Sequence, residues 1–104
     1  MVEFKLAIGL NDKITKKQEI ETAAALEIVK TAIRVKIGFG TIYKAAGIYT
    51  HENGENVTEE TIVIEYAGTA ADINKMRDLA ACLKIEFNQE SVYFSFRESH
   101  VEFI

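Results

Sequence analysis

The sequence predicts an α+β fold with the element order β-α-β-β-α-β, and three observations carry that prediction. Val2, Phe4, Leu6, Ile8 and Leu10 alternate with Glu3, Lys5, Ala7 and Gly9, the period of two of a strand with one apolar face. Two later runs space their apolar residues at three and four: Leu26, Val29, Ile33 and Ile37, then Ile73, Met76, Ala80, Leu83 and Phe87. Between them, Asn53-Gly54 separates two β-rich stretches, and both residues tolerate the positive φ of a hairpin turn.

The elements follow in order. After the first strand, Thr15 and Gln18 match the capping-box spacing, which predicts a helix from Lys16 to about Lys36, stopped by Gly38 and Gly40. A two-residue hairpin loop at Asn53-Gly54 would set Tyr43 opposite Ile64 and Ala45 opposite Ile62, leaving Ile42, Lys44, Ile48, Thr61 and Val63 on the other face. Gly68 ends the third strand, and Thr69 with Asp72 opens the second helix. Val92, Phe94 and Phe96 alternate with Tyr93, Ser95 and Arg97 in a fourth strand, and Val101 and Phe103 suggest a short fifth one. This is the ferredoxin-like split βαβ arrangement: a four-stranded antiparallel sheet in order 4-1-3-2 with two helices on one face, in a single domain spanning residues 1–104.

Composition narrows the function classes. The chain of 104 residues carries a net charge of −4, which does not supply the clustered lysine and arginine of a nucleic-acid footprint. Cys82 is the sole cysteine, so neither a disulfide within the chain nor a cysteine zinc site is expected. No leader segment and no membrane-length apolar run is visible, which suggests a cytoplasmic protein without membrane partners. No motif calls for a cofactor or a metal. Gly9 stands alone ahead of the predicted cap, which is too little glycine for a backbone phosphate cradle.

Two regions remain as candidates. The topology gathers the loop after strand one, the hairpin and the loop before strand four at one end of the sheet. Asn11, Asp12, Lys13, His51, Gln89 and Glu90 therefore form a polar neighbourhood suited to a small molecule, and Asp12 and Glu90 stand close enough to perturb one another. The sheet face that no helix covers is the second region, with Lys5, Ala7, Ile42, Lys44, Ile48, Val63, Tyr93 and Arg97 assigned to it. Its central strands lack the aromatic platform of single-strand RNA binders.

Ile8-Gly9-Leu10 at the end of the first strand, Gly47-Ile48-Tyr49 ahead of the hairpin, and Gln89-Glu90-Ser91-Val92 opening the last strand resemble a family of small ferredoxin-like bacterial and phage-type proteins. The resemblance follows the element order over most of the chain, departs from it after Arg97, and implies the fold without an activity. With no catalytic constellation apparent, the expected function is a non-enzymatic interaction protein. It would be a homodimer through the open face or would cap a protein partner, in a setting such as a mobile-element accessory protein that inhibits host defence. The alternative is a small-molecule binder or enzyme using the polar loop end or a dimer cleft.

Overall fold

The computed structural model describes all residues from Met1 to Ile104. In chain order it has β1 (Val2–Gly9), α1 (Thr22–Lys36), β2 (Thr41–Thr50), β3 (Asn56–Gly68), α2 (Ile73–Glu86) and β4 (Tyr93–Glu98). The four strands form one antiparallel sheet in the order β2-β3-β1-β4, the predicted order read from the opposite edge. No helix is long and apolar enough to cross a membrane.

Alternation in β1 decides where the core lies. Phe4, Leu6 and Ile8 point to the helix side with Ile62 and Ile64 of β3, and meet Val29 and Ile33 of α1 and Met76, Leu79 and Leu83 of α2. Each such fully buried side chain contributes roughly 1.5–3 kcal/mol relative to exposure. The α2 stripe read from the sequence is the stripe observed, with Leu79 added and Ile73 and Ala80 at its margin. Asp72 accepts a hydrogen bond from the Thr69 N–H at 2.9 Å, so the predicted entry to the second helix is also present, through a 3-10 turn at Ala70–Asp72.

Three sequence expectations are corrected. The first helix begins at Thr22, not Lys16. Lys16 has φ +62, which a right-handed helix excludes. Thr15 donates its hydroxyl to Glu19 instead of capping, and the Gln18 amide goes to the Ile20 carbonyl and the Thr22 hydroxyl. The segment from Asn11 to Gln18 is thus a compact loop whose two ends bridge to one another.

The hairpin loop is odd rather than even. The His51 N–H donates to the Glu55 carbonyl at 2.8 Å, which leaves Glu52, Asn53 and Gly54 as the loop, with Gly54 at φ +85. This is the three-residue loop that places glycine in the left-handed region. Tyr43 therefore pairs with Val63 and Ala45 with Thr61, one residue away from the two-residue register. A one-residue slip turns a strand over. Ile42, Lys44 and Ile48, expected on the open face, lie on the helix side: Ile42 packs at the core margin, and Ile48 stays exposed where the hairpin runs past the helices.

Finally, no fifth strand forms. The Ser99 N–H donates to the Met1 carbonyl at 2.8 Å, and the chain beyond it makes no strand pairing.

Candidate functional site

β3 runs past the end of β1: Gly9 pairs with Thr61, the Leu10 N–H donates to the Glu60 carbonyl at 3.0 Å, and residues from Asn56 to Glu59 pair only with β2. The projecting hairpin stands as one wall of a trough at the loop end of the sheet. The loop after β1 and the loop before β4 make the other wall. The trough encloses about 910 Å³, and Asn11, Asp12, Lys13, His51, Gln89 and Glu90 all line it. All six residues expected at the polar end are therefore brought together.

Their tasks differ. Gln89 is buried and structural: its side-chain amide donates to the carbonyls of Asn11 at 2.7 Å and Phe87 at 3.1 Å. Asp12 is the hub of the first loop, accepting from the N–H groups of Ile14 at 2.8 Å and Thr15 at 3.1 Å and from the Asn88 side-chain amide at 2.9 Å. The Lys13 N–H donates to the Asn88 carbonyl at 3.0 Å. These bonds tie two loops that are far apart in sequence into one rigid wall. His51 packs edge-on to Tyr49 on the opposite wall, ring centroids 5.3 Å apart. Glu90 is exposed and is not among the groups that shift Asp12, so the expected carboxylate pair does not form.

The Asn88 amide first, and the Thr15 and Ile14 N–H groups after it, hold the Asp12 carboxyl below the ordinary aspartate range. A carboxyl depressed by folding stabilises the fold above its unfolded pKa, and that stabilisation is lost as pH falls through the folded value. Acidification into that window is expected to abolish amide-exchange protection at Ile14 and Thr15 ahead of the core. Asp12→Asn should show no such step, and an identical acid profile in both proteins would contradict the assignment.

Glu59 is not among the residues expected at the polar end. Its side chain lies across the sheet over Gly9, where a Cβ on Gly9 would overlap the carboxylate, and a Cβ on Gly47 would press on the Glu59 and Thr61 side chains. The carboxylate accepts the Asn11 N–H at 3.0 Å. The signal in the sequence was a pair of strand glycines flanking one acid, legible only once the register aligns Gly9 with Thr61 and Gly47 with Glu59. Tyr49, His51 and Glu59 line the trough from the hairpin wall, and Asp12, Glu52, Glu55 and Glu90 line it too, with Lys13 and Lys16 as its amines. These carboxylates do not converge as a metal-binding set. The arrangement suits an organic ligand with a flat ring, hydroxyls and positive charge.

The rest of the open face is narrower than expected. Lys5, Ala7, Val63, Tyr93 and Arg97 do lie on it. Much of it is roofed by its own polar side chains: Tyr43 donates its hydroxyl to Glu65 at 2.9 Å, Lys5 pairs with Glu65 at 3.7 Å, and Arg97 pairs with Glu3 at 3.1 Å. Val63 is buried beneath them, and Tyr93 is left 58% exposed.

No family model and no curated protein matches this chain. Solved structures do. A phage SAM lyase in complex with S-methyl-5'-thioadenosine superimposes with a TM-score of 0.71 and 23% identity, over 93% of this chain and 80% of that one. A phage SAM lyase in its apo state gives a TM-score of 0.71 and 21% identity, over 92% of this chain and 78% of that one. The fold is thus shared with a phage protein, in keeping with the phage-type resemblance seen in the sequence. The likeness also overturns the expectation of a non-enzymatic interaction protein. That expectation rested on an uncovered sheet face and a missing catalytic motif, whereas a chain of this fold is a lyase and much of the face is occupied by its own ion pairs.

Proposed function

We propose that this chain is an enzyme acting on a sulfonium nucleoside: it binds S-adenosylmethionine in the polar trough and releases S-methyl-5'-thioadenosine, in the setting of a phage-type accessory protein. The observation that carries the reading is Glu59, held over Gly9 and tied to the Asn11 N–H, in a trough that Tyr49 and His51 also line. The likeness of the fold to the phage SAM lyase supports it.

The chemistry assigns the roles. Release of the thioether breaks the bond between sulfur and the aminobutyryl carbon, and the bond pair goes to sulfur, which becomes neutral. A lyase adds no water, so the carbon chain must supply the replacing electron pair: its own carboxylate closes a lactone on the carbon that leaves sulfur, or an adjacent C–H bond becomes the π bond of an alkene as its proton passes to a base. Positive charge disappears as the reaction proceeds. A carboxylate beside the sulfonium would favour the ground state over the transition state, which opposes catalysis. Glu59 is therefore better used on the ribose, where a carboxylate accepts both hydroxyls. The adenine ring stacks against Tyr49 and His51, which shield that wall from water.

Incubating the protein with S-adenosylmethionine and following S-methyl-5'-thioadenosine by chromatography tests the reading, with product formation proportional to enzyme as the expected result. A protein that neither forms this product nor binds it would end the proposal. A second copy of this chain is the proposed partner, through the part of the open face around Tyr93, and solution mass by light scattering checks for it.

A further inference from the structure

We infer that Lys13 and Lys16 seat the carboxylate of the substrate's amino-acid tail, so that the trough selects sulfonium nucleosides that retain it; this rests on a sulfonium nucleoside being the substrate. The charges lining the trough are unevenly placed, with Asp12 and Glu90 as the acids on the wall that carries the lysines. Glu52, Glu55 and Glu59 belong to the hairpin wall, whereas both amines come from the short loop after β1. Neither lysine is ion-paired: the lysines that pair with carboxylates are Lys5, Lys30 and Lys75, all elsewhere. Asp12, their neighbour in the loop, is already engaged by the Asn88 amide and two N–H groups. Two cations are thus left free at the edge of an otherwise acidic trough.

The backbone holds them there. Lys13 is pinned by its N–H to the Asn88 carbonyl at 3.0 Å, and Lys16 by its N–H to the Asp12 carbonyl at 2.9 Å. Lys16 also keeps φ +62, a conformation that glycine adopts freely and that a side-chain-bearing residue disfavours. The tail of S-adenosylmethionine carries an ammonium and a carboxylate. The acids of the trough suit the first, and Lys13 and Lys16 are the only lysines lining it that could pair with the second.

Calorimetry with three ligands isolates the carboxylate: S-adenosylhomocysteine, its decarboxylated analogue, and S-methyl-5'-thioadenosine, which lacks the tail. The wild type is expected to favour the carboxylated ligand over the decarboxylated one by about tenfold, less as salt is raised. Lys16→Gly, which relieves the backbone while removing the amine, should lose part of that preference. Adding Lys13→Met should remove it, with S-methyl-5'-thioadenosine binding unchanged in both variants. A preference that survives the double substitution overturns the inference, as does an equal loss for all three ligands. If the wild type binds the thioether nucleoside but shows no preference for the carboxylate, this inference alone fails. If it binds none of the three, the substrate class is wrong and both readings fall.

Discussion

Glu59→Gln is expected to fold as the parent does and to lose about tenfold to a hundredfold in affinity for S-methyl-5'-thioadenosine, with a similar loss in kcat/KM for S-adenosylmethionine. The side-chain carbonyl of glutamine still accepts the Asn11 N–H that Glu59 accepts at 3.0 Å, so the loop keeps its anchor. What disappears is the negative charge, and with it the charge-assisted part of two hydrogen bonds to the ribose, each about 1.5–3 kcal/mol when the acceptor is ionised. Circular dichroism and thermal melting check the fold, and calorimetry checks the affinity. Full affinity in the variant would remove Glu59 from the site.

Gly9→Ala is the complementary case, because it leaves every trough side chain in the sequence and moves one of them. The new Cβ would overlap the Glu59 carboxylate. That group is the end of a flexible side chain and swings away, forfeiting the Asn11 hydrogen bond at a cost of about 1 kcal/mol. The expected protein is slightly less stable, fully folded, and nearly as impaired in ligand binding as Glu59→Gln. Combining the two substitutions should add little, since both remove one interaction. An alanine variant with unchanged binding would mean that Glu59 does not act from its place over Gly9.

The element order and the core were legible because each rests on a period. The β1 alternation and the α2 stripe place Phe4, Leu6, Ile8, Met76 and Leu83 in the core, where they are found. What the sequence hid depended on register and on local competition. A three-residue loop in place of a two-residue one turned Ile42, Lys44 and Ile48 to the helix side, and nothing short of the backbone path through Glu52, Asn53 and Gly54 distinguishes the two. Thr15 and Gln18 carry the spacing of a helix cap, yet Asp12 captured the Ile14 and Thr15 N–H groups and turned the chain into a loop. The polar end was readable from topology, since Asn11, Asp12, Lys13, His51, Gln89 and Glu90 converge in any fold with this strand order. Glu59 was not, because its importance lies in the two glycines beside it across the sheet.

The two walls of the trough differ in how they are supported. One is cross-braced by Asp12, Asn88 and Gln89 to the ends of β1 and α2. The other is a two-stranded ribbon from about Gly47 to Glu59, past the end of β1 and with Ile48 80% exposed. A lone hairpin is marginal in water, and the segments with the fewest buried contacts open first. The trough is therefore a jaw with one fixed side and one sprung side. If the proposed site is right, the fixed side, which carries the lysines, would set which ligand is accepted, and the sprung side, which carries the aromatic pair, would set how quickly it enters and leaves.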